Sequence, residues 1–236
     1  MPPGPLALVG GDELRPGNEP QDRILVEAAA GRSAYVIATA AARQRPDLAV
    51  ANARSWFGAL GLDVVELPLT KRSQAMSNEI ASRARDGRFF YLVGGDPGLV
   101  PKVLADTPVW SAIVEAWRGG AALAGSSAGA MAMGSWTLIR DRMPGDARRR
   151  YRDALGLIPN VAVVPHLSTF GERWIPSVLE AAPDGAILLA IDERTAAICV
   201  DGSWRVEGAG AVVVVARESR AEHRTGDPIE GLPRPV

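Results

Sequence analysis

Five consecutive residues, Gly125-Ser126-Ser127-Ala128-Gly129, have the types and spacing of a nucleophile turn. They fit the pattern G-x-S-x-G, directly after the apolar run Ala121 to Ala124 and before the small-residue segment Ala128 to Met133. A serine on a sharp strand-to-helix turn needs small neighbours two positions to either side, because the backbone there is tight and strained. Such a turn holds the Ser127 hydroxyl out of the sheet, at the carboxyl ends of the strands where open α/β sheets bind ligands. It also aims the Ala128 N–H at a developing oxyanion. Taken alone, the same pentapeptide describes a tight turn with no chemistry.

A serine nucleophile needs a general base, and histidine is the usual one. The chain has two histidines. His223 lies in the polar stretch Arg220 to Arg224 and reads as a solvated surface residue. His166 follows the apolar run Val161 to Val164 and Pro165, which places it at a strand's carboxyl end, the same edge as Ser127. A carboxylate must then orient the imidazole. Asp192 and Glu193 follow the run Ala186 to Ile191, and the local sequence does not separate them. Asp141, Asp146 and Asp153 lie between the serine and the histidine, where an α/β-hydrolase carries its acid. They fall in the arginine-rich connection Arg140 to Arg152 rather than at a strand end. A second oxyanion donor is expected from Gly94-Gly95-Asp96, the turn ending the strand before the one that carries Ser127.

The scaffold that must hold these groups is also legible. Short apolar runs at Leu6 to Val9, Ala34 to Thr39, Asp63 to Leu67 and Phe89 to Val93 alternate with helical spacing at Gln21 to Ala30, Pro46 to Leu60, Ser73 to Arg85 and Val103 to Trp117. Near-continuous apolar strands alternating with helices require a parallel sheet covered on both faces. Closely spaced strands follow at Val161 to Val164, Ala186 to Ile191, Ala196 to Val200, Trp204 to Val206 and Ala211 to Val215, with a helix at Trp174 to Ala182. Asp201-Gly202 is a hairpin signal. The expectation is an α/β protein with a mostly parallel central sheet, helices on both faces and a short antiparallel extension near the carboxyl terminus. Residues 1–217 form a single domain in this reading, followed by a loose tail over 218–236.

Composition removes other classes of function. The net charge of −1 gives no reason to expect nucleic acid or an anionic membrane surface as partner. The lone cysteine, Cys199, excludes an internal disulfide and any multi-cysteine metal site. No run approaches the roughly 18 apolar residues of a membrane helix, and the opening stretch lacks the basic flank and long apolar run of a signal peptide. A cytoplasmic monomer or homodimer is expected.

With these pieces in order, the chain resembles the S51 serine peptidases, the family of dipeptidase E and cyanophycinase, over roughly residues 6 to 216. The resemblance rests on Gly94-Gly95-Asp96, Gly125-Ser126-Ser127-Ala128-Gly129-Ala130, Pro165-His166 and Ile191-Asp192-Glu193-Arg194-Thr195-Ala196. It implies a fold like that of class I glutamine amidotransferases, with flavodoxin-like layering. It further implies Ser127 as nucleophile, His166 as base, Glu193 as acid, and the Gly95 and Ala128 N–H groups as oxyanion hole. No metal or organic cofactor is implied. Asp96 and Arg173 are the expected substrate contacts in a small peptide, Arg173 by pairing with a carboxylate such as that of an acidic amino-terminal residue. Two departures point away from cyanophycin as substrate. Pro97 stands where family members commonly carry Gln or Asn, and His166 is flanked by Val164-Pro165 and Leu167, with Arg173 the single nearby arginine. Two other functions keep this fold or this serine: an amidotransferase-like binding or regulatory protein, and an esterase or amidase of different specificity.

Overall fold

The structure is a computed structural model that describes residues 2–30, 33–140 and 148–236. Phe89-Phe90-Tyr91-Leu92 shows what organises it, because all four successive residues are buried. Side chains alternate across a strand, so four in a row require cover on both faces of the sheet. The first half runs β1 (Leu6–Val9), α1 (Glu19–Ala29), β2 (Ala34–Ile37), α2 (Pro46–Ala59), β3 (Val64–Glu66), α3 (Arg72–Ala75), α4 (Asn78–Arg85), β4 (Phe89–Leu92), α5 (Leu99–Leu104), α6 (Pro108–Arg118), β5 (Ala122–Ser126) and α7 (Ala128–Met131). The second half runs β6 (Gly134–Arg140), β7 (Arg149–Asp153), β8 (Ile158–Val164), α8 (Ile175–Glu180), β9 (Ile187–Ile191), β10 (Thr195–Val200), β11 (Ser203–Gly208), β12 (Ala211–Ala216) and β13 (Ser219–Arg224).

The seven-stranded sheet has the order β11-β10-β1-β5-β4-β2-β3. It is parallel from β1 to β3, and β10 and β11 supply the expected antiparallel extension. The remaining strands depart from expectation. They form a second, six-stranded sheet of order β13-β12-β9-β8-β6-β7, in which β9, β8 and β6 are mutually parallel and the outer strands antiparallel.

Two apolar layers hold this arrangement. On one face of the seven-stranded sheet, Ala7, Val36, Phe89 and Tyr91 pack with Leu25 of α1 and Phe57 of α2. The Phe57 ring lies 4.9 Å from that of Phe89 and 5.2 Å from that of Tyr91; burying one such phenylalanine contributes roughly 2–3 kcal/mol. On the opposite face, Leu6, Leu8, Phe90 and Leu92 share a core with Ile113 and Trp117 of α6 and with Val163, Leu189 and Val213 of the second sheet. The second sheet therefore belongs to one side of the first.

The helices expected over Ser73 to Arg85 and Val103 to Trp117 are each broken. Ser77, in extended conformation, separates α3 from α4 and accepts from the Ile80 N–H. Thr107 does the same before α6, accepting from the Trp110 N–H, and Pro108 follows as the first helical residue. Two polar segments are also more regular than their composition suggests. The arginine-rich connection expected over Arg140 to Arg152 ends in a strand, β7 (Arg149–Asp153), paired with β6. In the segment expected to be a loose tail, β13 pairs along its whole length with β12, and Ile229 is buried, its N–H donating to the Trp204 carbonyl at 2.9 Å. Main-chain hydrogen bonding, not side-chain burial, creates both strands. His223 lies on β13 and Cys199 is buried on β10, where burial pushes its thiol pKa up. No helix among the described residues is long and apolar enough to cross a membrane.

Candidate active site

Strands β1, β4 and β5 end together, since Val9 pairs with Ser126 and Leu92 with Gly125. Their outgoing turns therefore emerge side by side. Ser127 occupies the turn from β5 into α7 with φ +48° and ψ −111°, a conformation that costs a non-glycine residue on the order of 1–3 kcal/mol. The flanking glycines are needed sterically. A Cβ on Gly125 would lie 2.5 Å from the carbonyl carbon of Gly129, and one on Gly129 would lie 2.2 Å from the Leu92 carbonyl oxygen. The Ser127 N–H is held by the Val9 carbonyl at 2.9 Å, which locks the turn to β1.

His166 and Glu193 arrive from the second sheet. β8 and β9 are parallel, with Val164 paired to Ala190, so Pro165-His166 and Asp192-Glu193 leave from one edge. The chain from β9 then crosses to β10 of the first sheet, whose first residues lie beside the end of β1. Glu193 sits in that crossing. The Ser127 Oγ is 3.0 Å from His166 Nε2, and His166 Nδ1 is 2.7 Å from Glu193 Oε1. A carboxylate at Nδ1 keeps the proton there and turns the Nε2 lone pair towards the serine hydroxyl. The imidazole is backed by Phe170, with ring centroids 4.6 Å apart, and by the bare backbone of Gly11, where a Cβ would meet Cε1 at 2.2 Å.

The same geometry separates the two acids that the sequence left open. Asp192 is occupied elsewhere: its Oδ1 accepts from the Ser168 N–H at 3.0 Å and its Oδ2 from the Ala211 N–H at 2.9 Å. Asp153 lies on β7 and lines a different cleft, and Asp141 and Asp146 fall outside the described residues.

Gly95 has φ +146°, and a Cβ there would lie 2.3 Å from the Ala40 carbonyl oxygen. Asp96 next to it accepts from the Gly98 N–H at 2.9 Å and lies 3.7 Å from Arg43. Ala128 is the first residue of α7, so its N–H has no partner carbonyl within its own helix. Ser127, Ala128, Gly95, Asp96 and His166 all border one open cleft of about 690 Å³.

Arg173 is not among the residues lining this cleft. The 3-10 turn Gly171–Arg173 brings Phe170 and Trp174 to the cleft, and Glu172 and Arg173 are left exposed. Cationic groups reach the cleft instead from the hairpin of β6 and β7, as Arg140 and Arg149. The Arg149 guanidinium lies 4.0 Å from the Trp174 ring centre. The arginine-rich connection read in the sequence thus supplies part of the cleft wall. Glu13, which the sequence reading did not single out, accepts from the Gly94 N–H and the Ser126 hydroxyl beside the cleft.

A serine, an imidazole and a carboxylate in hydrogen-bonded series on a layered α/β scaffold are the arrangement of a hydrolase that works by nucleophilic catalysis. The particular lineage is shown by comparison: the model of peptidase family S51 matches residues 6–206, and the chain belongs to that family of serine-type peptidases. It is 30% identical over 217 residues to a cyanophycinase of Trichormus variabilis, covering 89% of this chain and 72% of the relative. A cyanophycinase of Synechococcus elongatus is 26% identical over 219 residues, 90% of this chain and 68% of that one. Among solved structures, a peptidase from an acI-B1 actinobacterium superposes with a TM-score of 0.85 at 29% identity, covering 96% of each chain. A candidate peptidase E protein from Listeria monocytogenes EGD-e shares the fold, with a TM-score of 0.57 at 18% identity over 95% of this chain and all of that one.

Proposed function

We propose that this chain is a dipeptidase-like serine peptidase that hydrolyses short peptides through an acyl-enzyme on Ser127. The observation that carries the reading is the unbroken series from Ser127 Oγ through His166 to Glu193, with links of 3.0 and 2.7 Å. Ser127 Oγ attacks the scissile carbonyl while His166 Nε2 takes its proton, and the Gly95 and Ala128 N–H groups stabilise the oxyanion. Collapse of the tetrahedral adduct expels the leaving amine, which receives the proton from His166. Water, deprotonated by the same imidazole, then releases the acid and restores the serine. Glu193 holds the ring and stabilises its protonated form. None of these steps calls for a metal or organic cofactor.

Arg140 and Arg149 in the cleft wall support a peptide carrying a carboxylate near the scissile bond, such as an acidic amino-terminal residue. Arg149 takes the role first given to Arg173. Similarity to cyanophycinases supports a peptide-like substrate. Pro97 in the cleft and the apolar flanks of His166 favour something other than cyanophycin itself. The single buried cysteine suits a cytoplasmic setting, where thiols stay reduced.

Two experiments test this reading. A fluorophosphonate probe should label folded protein at Ser127, and its absence from that residue on peptide mapping would sink the proposal. A library of dipeptides with acidic, basic and isoaspartyl amino-terminal residues then identifies the substrate, with acidic residues expected to be preferred. The amidotransferase-like binding reading draws on Pro97, which presents no hydrogen-bonding side chain to the cleft; it predicts that Ser127→Ala keeps the biological activity.

A further inference from the structure

The turn after β1, Gly10 to Asn18, holds two acidic side chains that the chemistry above does not use: Asp12 pairs with Arg15 and Arg194, and Glu13 faces the site. Glu13 Oε1 accepts from the Gly94 N–H at 2.8 Å, and its Oε2 accepts from the Ser126 hydroxyl at 2.9 Å. Gly94 directly precedes Gly95, and Ser126 directly precedes Ser127. One carboxylate therefore ties together the two turns that carry the oxyanion donors and the nucleophile. The strand ladder does not reach that far, because the pairing of β4 with β5 ends at Leu92 and Gly125. Beyond those residues, the relative placement of the turns depends on bonds such as these.

The backbone around Glu13 is shaped for this role. Its neighbours Asp12 and Leu14 both have positive φ, at +53° and +60°, each costing a non-glycine residue about 1–2 kcal/mol. A Cβ on Gly94 would lie 3.0 Å from Glu13 Oε1, a contact that would press on the carboxylate. The same turn reaches the other half of the site. The Gly10 carbonyl accepts from the His166 N–H at 2.8 Å, and the Gly11 carbonyl from the Arg194 N–H at 2.9 Å. Main-chain bonds thus hold the His166 and Glu193 segments, and the Glu13 side chain holds the other two.

We propose that Glu13 is a positioning residue whose two hydrogen bonds set the Gly95 N–H against the Ser127 hydroxyl, giving the oxyanion hole its working geometry. This rests on the serine peptidase reading above. Charged acceptors make strong bonds to N–H and O–H donors, and an oxyanion donor displaced by a fraction of an ångström loses much of its effect. Glu13 touches neither the imidazole nor the nucleophile Oγ in the hydrogen bonds described, so its influence runs through geometry.

The test is the kinetics of Ser127 labelling by a fluorophosphonate, measured over probe concentration so that the limiting rate and the half-saturating concentration separate. In Glu13→Ala both tethers are gone, and the limiting rate should fall on the order of 10²-fold, the size of losing one oxyanion donor. The half-saturating concentration and the shape of the pH profile should be unchanged, since binding and the His166 relay are untouched. Glu13→Gln keeps an acceptor for Gly94 and offers an amide donor to Ser126, so it should restore the rate to within about threefold of wild type. A merely structural role would lower the folded fraction and leave the rate per folded molecule intact; that outcome overturns the proposal. So does an equal loss in Glu13→Gln and Glu13→Ala, because the tether would then not be the cause. If Glu13→Ala does not fold, Ser126→Ala cuts one tether, and a wild-type limiting rate in that variant overturns the proposal equally. Failure of folded wild-type protein to label at Ser127 instead refutes the peptidase reading, and this inference falls with it.

Discussion

Asp22 provides the sharpest test of the packing behind the site. It sits on α1 with no exposed surface, and its Oδ2 accepts from the Trp56 indole N–H at 2.7 Å. Its Oδ1 has no partner among the described residues. Burial pushes the carboxyl pKa up from 3.8 to about 7; the Trp56 bond opposes the shift, and the charges of Glu19 and Glu13 add to it. A carboxyl raised in the folded state favours folding most at pH below its unfolded value of 3.8. That advantage is lost progressively as pH rises towards 7, because the unfolded chain sheds the proton first. The difference of about three units corresponds to about 4 kcal/mol between pH 4 and pH 8.

Asp22→Asn removes this titration while keeping the volume and an acceptor for Trp56. The variant should therefore gain stability over wild type as pH rises, by up to about 4 kcal/mol at pH 8, with the two proteins converging near pH 4. Urea unfolding of both proteins at constant ionic strength, in steps from pH 4 to pH 8.5, measures the difference directly. Titration of the groups not coupled to Asp22 cancels between them. A stability difference that does not vary with pH would refute the buried-carboxyl argument, and one that grows towards acid would reverse its sign.

Other expectations follow from the site. Glu193→Gln should lower kcat on the order of 10³–10⁴-fold with little change in stability, as when a triad carboxylate loses its charge. Asp192→Asn should instead leave kcat per folded molecule near wild type and cost roughly 1–3 kcal/mol in denaturant unfolding, because its carboxylate accepts from the Ser168 and Ala211 N–H groups. Gly129→Ala should fail to accumulate as folded protein on size exclusion, since its Cβ would lie 2.2 Å from the Leu92 carbonyl oxygen. Arg149→Ala should raise KM for an acidic dipeptide on the order of tenfold, whereas Arg173→Ala should leave it unchanged; steady-state kinetics on the two variants separates the arginines.

The residues that the sequence revealed are those whose constraint is local. Gly125 and Gly129 are bare because Leu92 and α7 press on them, and that pressure leaves the pattern G-x-S-x-G. The all-apolar Phe89–Leu92 announces a strand covered on both sides. β7 and β13 have no such mark. Arg-Arg-Tyr-Arg-Asp and Ser-Arg-Ala-Glu-His-Arg are edge strands held by main-chain bonds, with mostly exposed side chains, so their hydrophobic pattern is silent. Missing them hid the second sheet and with it the arginines of the cleft. Asp192 and Glu193 could not be told apart for a related reason. Both follow the end of β9 where the chain turns towards β10, Asp192 accepting from the Ser168 and Ala211 N–H groups and Glu193 reaching His166, and only the inter-sheet crossing decides which does which.

That crossing also explains the order of the proposed catalytic groups along the chain. Ser127 ends the last parallel strand of the first sheet, β8 and β9 build the second sheet, and the return from β9 to β10 brings the acid back last. The serine and the histidine–glutamate pair thus belong to different sheets, joined at this edge by the Gly10–Glu13 turn. A site assembled across two sheets depends on their contact as well as on each sheet's own stability. Loosening of the second sheet against Leu6, Leu8 and Leu92 should therefore separate His166 from Ser127 before either sheet unfolds. The Glu13 tethers protect only the half of the site that lies on the first sheet. Activity lost in this way would fall with the Ser127–His166 link, while the Ser127 turn and the proposed oxyanion pair of Gly95 and Ala128 stayed formed.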